Sequence, residues 1–532
     1  MSKITLQLAV VFLMISCAST KKYNQHIDQT ISIQDLKRDV DFVEKKIKKL
    51  HPSSDWYISE ADLAFKFDSI RNLLTKPLTP NEFFLLISKP VAEVRQAHMS
   101  VQPLSKKLTP KENRILNKKG LGPLSQLKMI WFNDELYVQK NLGSDSTVHK
   151  GSKIVSLDDL SPADLHKKYK NTFASDGFNQ TWLPKKFNRS FSTYFILEKG
   201  IKDSINYVFS YKDSVFTKTV RRLEIKKKEQ EVAKNDSLKL NSVKPKKDKL
   251  ALKIRKDSLR VVAKNRRIFG YDFALSSYAK DFKILKEDSL VGILKVTSFS
   301  KGQYKKAYKI IFDSIKKSNI QTLILDLRGN TGGSIEDSRL LFAYLAKEPF
   351  QFIQKSKVTS RSSIPFTAYQ NLPLVGTILM TPFKPIVSGI MLAKTSKDAN
   401  GNTYFKIRAE NKSNPQKNNF QGDLYVLIDG GSFSASCLLA SNLKGSQRAF
   451  FVGEETGGTY NGTVAGFMPV FKLPNSKLGL RIGLMDIRPT FQSEEEGRGI
   501  FPDKTILPTL DDLINDNDVQ LNWILEEIKG KS

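Results

Sequence analysis

Hydrophobic residues in the first hundred positions recur at three-and-four spacing. Ile33, Leu36, Val40, Val43, Ile47 and Leu50 form one helical stripe behind Ser32, a residue suited to cap it. Leu63, Phe67, Ile70 and Leu74 mark a second helix. Thr79-Pro80-Asn81-Glu82 opens a third with a capping box and a proline at its first position, and Pro90 is expected to break it. From about Leu104 to Leu223 the texture changes. Runs at 127–132, 135–139 and 153–157 predict short strands, with Gly143 and Gly151 in the connections. Beyond Arg267 the patterns alternate: strand 291–296, helix 305–317, strand 322–327, strand 424–428, a helix from about Ser434, then strand 449–452. Such alternation predicts an α/β domain.

Charge interrupts this pattern in one place. Between Arg221 and Arg267 there are 18 Lys/Arg against 6 Asp/Glu and no aromatic residue, which predicts a solvated insertion at 224–268, disordered or loosely helical. The chain as a whole carries +31. Without aromatics interleaved for base stacking, that charge does not point to nucleic acid, whereas anionic lipid or envelope polymers remain compatible partners. At the N-terminus Lys3 precedes an apolar run from Leu8 to Ile15, then Ser16-Cys17 and a polar stretch. The run is too short to span a bilayer and reads as a secretory signal. Leu13-Met-Ile-Ser-Cys17 also resembles the lipobox of bacterial lipoproteins. That resemblance implies a signal peptide over 1–17, lipid on Cys17 as the first mature residue, and a body tethered to the bacterial cell envelope, facing the periplasm or exterior. Cys437 is then left without a disulfide partner, and five scattered histidines make no zinc cluster; no metal and no organic cofactor is implied.

Chemistry concentrates after the apolar run Leu424 to Ile428. Gly430-Gly431 breaks that run, and a helical pattern begins near Ser434. A strand, a glycine turn and a helix opening on serine present a hydroxyl nucleophile: the glycines permit a sharp turn, and the helix dipole favours a developing anion. The same serine is equally an ordinary helix N-cap. The turn Arg328-Gly-Asn-Thr-Gly-Gly333 is likewise open to three readings: a tight connection, a phosphate cradle without the Gly-Lys-Ser/Thr ending of a P-loop, or an oxyanion hole.

Four motifs occur in order: Asp326-Leu-Arg-Gly-Asn-Thr-Gly-Gly333, Ser434-Ala-Ser-Cys437, Gly453-Glu-Glu-Thr-Gly-Gly458 and Gly499-Ile-Phe-Pro-Asp503. Together they resemble the C-terminal-processing (tail-specific) serine peptidase family. The resemblance implies an N-terminal helical region at 28–103, a PDZ-like β-rich domain at 104–223, and a catalytic core of crotonase-like α/β type at 269–532. Gly120-Leu-Gly-Pro123 falls where the PDZ carboxylate-binding loop would be, although Pro123 removes one donor.

The resemblance makes Ser434 the nucleophile. Where one branch of the family carries a lysine base, this chain has Thr459, so it is similar to the lysine-less, tricorn-core-like branch. The histidine base of that branch maps to His98 and its glutamate to Glu496, with Glu494 and Glu495 of the same run as rivals. An imidazole can take the serine proton while a carboxylate orients it. The backbone N–H groups of Gly332 and Ala435 are implied as the oxyanion hole. Two residues depart from the pattern: Ala97 replaces a serine beside the histidine, and Cys437 replaces a glutamate after the nucleophile. The expected protein is an exported serine endopeptidase acting on protein or peptide substrates through an acyl-enzyme. The alternative is an inactive peptide- or ligand-binding envelope lipoprotein of the same fold.

Overall fold

The computed structural model describes residues 20–224, 249–273, 276–286, 288–367 and 369–531. The expected signal peptide, Cys17 and residues 225–248 of the basic insertion lie outside the described residues. Near the N-terminus come α1 (Ile33–Leu50), α2 (Glu60–Leu73) and α3 (Pro80–Glu93). Ser32 caps α1 by accepting from the Asp35 N–H, and Thr79 and Glu82 close a reciprocal capping box on α3. Pro90 does not end α3, which continues to Glu93. Lying in the last turn, it removes one hydrogen bond where the helix is about to stop anyway.

After β1 (Ser100–Gln102) and α4 (Pro110–Lys118), five strands form an antiparallel sheet in sequence order: β2 (Leu127–Phe132), β3 (Glu135–Asn141), β4 (Lys153–Leu157), β5 (Ser204–Tyr211) and β6 (Ser214–Arg221). Two helices, α5 (Pro162–Tyr169) and α6 (Trp182–Lys199), are inserted between β4 and β5. The second half of the basic segment, expected to be disordered or loosely helical, forms α7 (Lys249–Phe269). Its apolar positions Leu252, Leu259 and Val262 recur at helical spacing within the charged run.

A short hairpin, β7 (Tyr271–Asp272) and β8 (Ser277–Tyr278), leads into the core. There a six-stranded sheet contains β9 (Lys280–Ile284), β10 (Val291–Val296), β11 (Thr322–Asp326), β15 (Asp423–Ile428), β16 (Phe450–Gly453) and β21 (Lys504–Thr505), parallel throughout except for edge strand β9. Its central strands are buried on both faces, which is why they read as continuous apolar runs. Leu323, Leu325, Leu424, Val426 and Ile428 enter the main core with α8 (Tyr304–Lys317), α9 (Ile335–Leu345) and α12 (Ala435–Gly445). Ile324, Tyr425 and Leu427 point the other way, onto α14 (Val519–Lys531) and its Ile524.

Between β11 and β15 the chain runs through β12 (Lys357–Val358), α10 (Leu374–Met380), α11 (Lys384–Ala393), β13 (Thr395–Lys397) and β14 (Thr403–Phe405). The strands β17 (Thr463–Ala465), β18 (Val470–Lys472), β19 (Gly479–Arg481) and β20 (Met485–Ile487) follow β16, and α13 (Leu510–Asn515) precedes α14. One five-stranded sheet has the order β13-β14-β12-β20-β17, and a three-stranded sheet has the order β1-β19-β18. The second of these matters most for the site, because β1 carries the N-terminal region into the core by pairing Ser100, Val101 and Gln102 with Arg481, Leu480 and Gly479.

Asp39 makes a second joint between the same parts. Fully buried on α1, it accepts from the N–H groups of Asn475 (2.9 Å) and Ser476 (2.7 Å), from the Asn475 side chain, and from the Ser476 hydroxyl. Bonds to a charged acceptor are worth about 1.5–3 kcal/mol each, and truncation leaves the donors orphaned in the interior. Asp39→Ala is therefore expected to lower thermal stability by the equivalent of roughly 3 kcal/mol, read as a drop in Tm by scanning calorimetry. Asp41→Ala, at an exposed position on the same helix, should shift it little.

Candidate active site

The turn after β15 is tied to the turn after β11. Leu327 N–H donates to Leu427 O, Gly329 N–H to the Asp429 carboxylate (2.7 Å), and Phe433 N–H to Asn330 O. Ser432 Oγ donates to Leu327 O at 2.9 Å. Asn330, wholly buried, donates to Val296 O and accepts from Gly332 N–H at 2.9 Å. The two motifs thus form one hydrogen-bonded block at the carboxyl ends of the parallel strands, where ligands of open α/β sheets bind.

Ser434 stands at the edge of this block with φ 58° and ψ −121°, a conformation L-residues rarely adopt. Holding it costs on the order of 1–3 kcal/mol. The residue begins α12, yet its hydroxyl caps nothing. Instead Ser434 Oγ lies 3.0 Å from His98 Nε2. The capping reading of Ser434 is thereby set aside. Gly332 packs directly behind it: with φ 92°, a Cβ there would lie 2.8 Å from Ala435 N and 2.9 Å from Ser434 Cβ. Only glycine permits that approach.

His98 arrives on the segment between α3 and β1, and several contacts fix it. Ala97 N–H donates to Asp176 Oδ1 at 2.7 Å, Gln96 Oε1 accepts from Val464 N–H, and the imidazole packs on Phe433 with ring centroids 5.1 Å apart. Phe433 in turn stacks on Trp182 of α6 at 4.4 Å. Burial, and secondarily the Arg481 guanidinium, press the imidazole down to about 3, so it is neutral at ordinary pH and able to accept a proton.

Glu496 is not brought to His98. It is exposed and accepts from Trp56 Nε1 at 3.2 Å. Among the described residues no carboxylate hydrogen-bonds to the imidazole. Glu496 and the buried Asp176 both act on Tyr57, whose hydroxyl burial and these two charges push up. Thr459, in the place of a lysine base, is buried and donates to Gly462 O. Cys437 is buried one turn into α12, its thiol on Ser432 O, and burial raises it to about 12, which leaves it protonated and unreactive.

The two expected oxyanion donors fare differently. Ala435 N–H opens α12, where helix N–H groups lack intrahelical partners. Gly332 N–H is already given to Asn330. Its neighbour Gly333 makes no such bond through its N–H and lines the same cavity as Ser434. That cavity, about 590 Å³, is walled by Ile335, Leu438, Ala465, Met468 and Ile487, with Lys394, Lys406, Arg408 and one carboxylate, Glu336, also lining it. The remaining motifs are joints. Glu455 binds Arg498 bidentately and accepts from Gly499 N–H, while Asp503 accepts from Phe451 N–H.

Asp176 was not singled out by sequence. It follows Ala174-Ser175 in an ordinary-looking Asp-Gly turn, and only the fold places it under Ala97. Residues 290–506 match the model for peptidase family S41. The chain is also similar to the crystal structure of mature CPAF (TM-score 0.55, 14% identity, covering 92% of this chain and 99% of that one). It is similar as well to mature CPAF complexed with lactacystin (TM-score 0.58, 13% identity, 93% and 98%). At these identities the likeness speaks for the fold. No curated protein matches this chain in sequence.

Asp176 makes the site sensitive to pH. It is 1% exposed, its Oδ2 has no hydrogen bond, and burial pushes its carboxyl from 3.8 up to about 7 against the pull of the Ala97 N–H. Between those values the folded chain holds a proton that the unfolded chain has lost, so stability falls as pH rises through this window and is fully present only below it. Asp176→Asn keeps an acceptor for Ala97 and cannot ionise. Its melting temperature relative to the wild type is expected to climb between pH 4 and pH 8, by up to the equivalent of about 4 kcal/mol. A difference that is flat across this range in thermal scans would contradict the assignment.

Proposed function

We propose that the chain, whose residues 290–506 match peptidase family S41, is an exported serine endopeptidase that acts on proteins or peptides through a Ser434–His98 dyad. The carrying observation is the 3.0 Å contact between Ser434 Oγ and His98 Nε2, made by a serine held in a strained turn and released from capping. In this reading Ser434 Oγ attacks the substrate carbonyl carbon as its proton passes to Nε2. The tetrahedral oxyanion is met by the N–H of Ala435 and, in place of the engaged Gly332, that of Gly333. His98 then protonates the leaving amine, giving an acyl-enzyme that water hydrolyses with His98 again as base.

The cavity beside Ser434 supports an apolar substrate side chain, with its basic residues favouring acidic neighbours. Glu496, anchored on Trp56, stands outside the direct proton path; its support for the imidazolium is through the field alone. We read the antiparallel sheet β2–β6 as PDZ-like and the six-stranded sheet with its helices as the crotonase-like core. In the former, Gly120 N–H and Leu121 O are already paired with Leu223, which argues against peptide capture at the Gly120–Pro123 loop. Export and lipid attachment at Cys17 rest on the residue pattern of positions 1–17, and with them a place on the cell envelope.

A fluorophosphonate probe tests the dyad. The folded wild type should label, Ser434→Ala should not, and His98→Ala should label at least about 10³-fold more slowly. Absence of labelling in folded wild type would return the chain to a binding role. Glu496→Gln is expected to slow labelling less than about tenfold; a loss matching that of His98→Ala would put the carboxylate in the proton path.

A further inference from the structure

Helices α10 and α11 leave a row of large apolar side chains facing outward. Val375, Ile378, Leu379, Phe383, Ile386 and Ile390 recur at three-and-four spacing and are 55–66% exposed. The half-buried side carries Met380, Val387, Met391 and Leu392 beside Gly376, Thr377 and Ser388, so the pair is apolar on both sides. A helix hydrophobic all round is ordinarily covered on every side, and contiguous exposed apolar surface of this kind marks an interaction site. We propose that this face docks onto an anionic lipid surface.

Length and charge define the mode of contact. Val375–Ala393 has mean hydropathy 1.4 with none of it buried, and 19 residues are long enough to cross a bilayer. Crossing would put the two ends on opposite sides, yet both ends are fixed in one folded body. Asn371 Oδ1 accepts from Val470 N–H of β18 at 2.9 Å, and Thr395–Lys397 pairs with β14. The segment therefore lies along the interface. Between Glu348 and Asp398 the chain has no carboxylate and six basic residues: Lys355, Lys357, Arg361, Lys384, Lys394 and Lys397. Lysines flanking an apolar stripe can extend to anionic headgroups while their stems stay in the apolar layer. A second copy meeting this face across a twofold axis would instead oppose like charges, with no acid in the stretch to neutralise them. Lys394 also lines the cavity at Ser434, so docking holds the cleft beside the lipid surface. The docking rests neither on the catalytic reading nor on the lipid at Cys17.

The test places an environment-sensitive fluorophore at Leu379→Cys in the full chain carrying Cys17→Ala, with the buried Cys437 left unlabelled. Vesicles of phosphatidylethanolamine and phosphatidylglycerol should blue-shift the emission and raise it at least threefold, and nitroxide-bearing lipid should quench it. The same label at Val215→Cys, exposed on β6, should not respond. Adding Ile386→Asp and Ile390→Asp should weaken partitioning at least tenfold while the circular dichroism spectrum and labelling of Ser434 are unchanged. Because the probe is local, insertion of the N-terminal segment cannot produce the signal. No response at Leu379→Cys, an equal response to phosphatidylcholine vesicles, or a response that follows protein rather than lipid concentration would overturn the proposal; the last would identify a second copy as the occupant.

Discussion

The contact between Ser434 and His98 joins residues 336 positions apart, and much of the architecture serves to hold it. Neither side chain is placed by its own element alone. Ser434 depends on two strand-end turns bonded into one block, and His98 on a segment threaded between α3 and β1. The pairing of β1 with β19, the Asp39 joint, the Gln96–Val464 bond and the Asp176–Ala97 bond bring the N-terminal region onto the core within hydrogen-bonding tolerance. Because hydrogen bonding falls away steeply with distance and angle, a small displacement of either part separates the dyad.

Polar groups are buried around this contact at some cost. Asp176, Tyr57 and Gln96 each retain a polar atom without a partner. Buried and incompletely satisfied groups are destabilising, and they cluster where an arrangement is kept for chemistry rather than for stability. The imidazole shares this character: desolvation keeps it neutral and makes its protonated form costly, and that form has no carboxylate contact. In the proposed mechanism, the developing oxyanion and the N–H groups facing it therefore carry much of the charge stabilisation.

The four sequence motifs divide into chemistry and carpentry. Asp326 and Arg328 form a network with Asp518, Glu455 clamps Arg498, and Asp503 holds the start of β16. None of these touches Ser434. They fix the turns around it, so a motif in sequence marks the surroundings of the site as well as the reacting atoms.

Periodicity and capping residues were enough to place α1, the capping box of α3, the apolar strands of the parallel sheet and the glycine turn before Ser434, because these follow from local geometry and two-sided burial. The family resemblance supplied His98, which no local pattern distinguishes from the other four histidines. Other features were decided only by the tertiary structure. Whether Ser434 caps its helix or faces a base depended on a partner 336 residues away. Glu496 fell to Trp56 rather than to His98 because the loop carrying it packs against the α1–α2 connection, and Gly332 lost its free N–H to Asn330, a side chain whose direction sequence does not encode. Asp176 and the outward apolar face of α10–α11 belong to the same class. Burial is a property of what surrounds a residue, and the surroundings are assembled from distant parts of the chain.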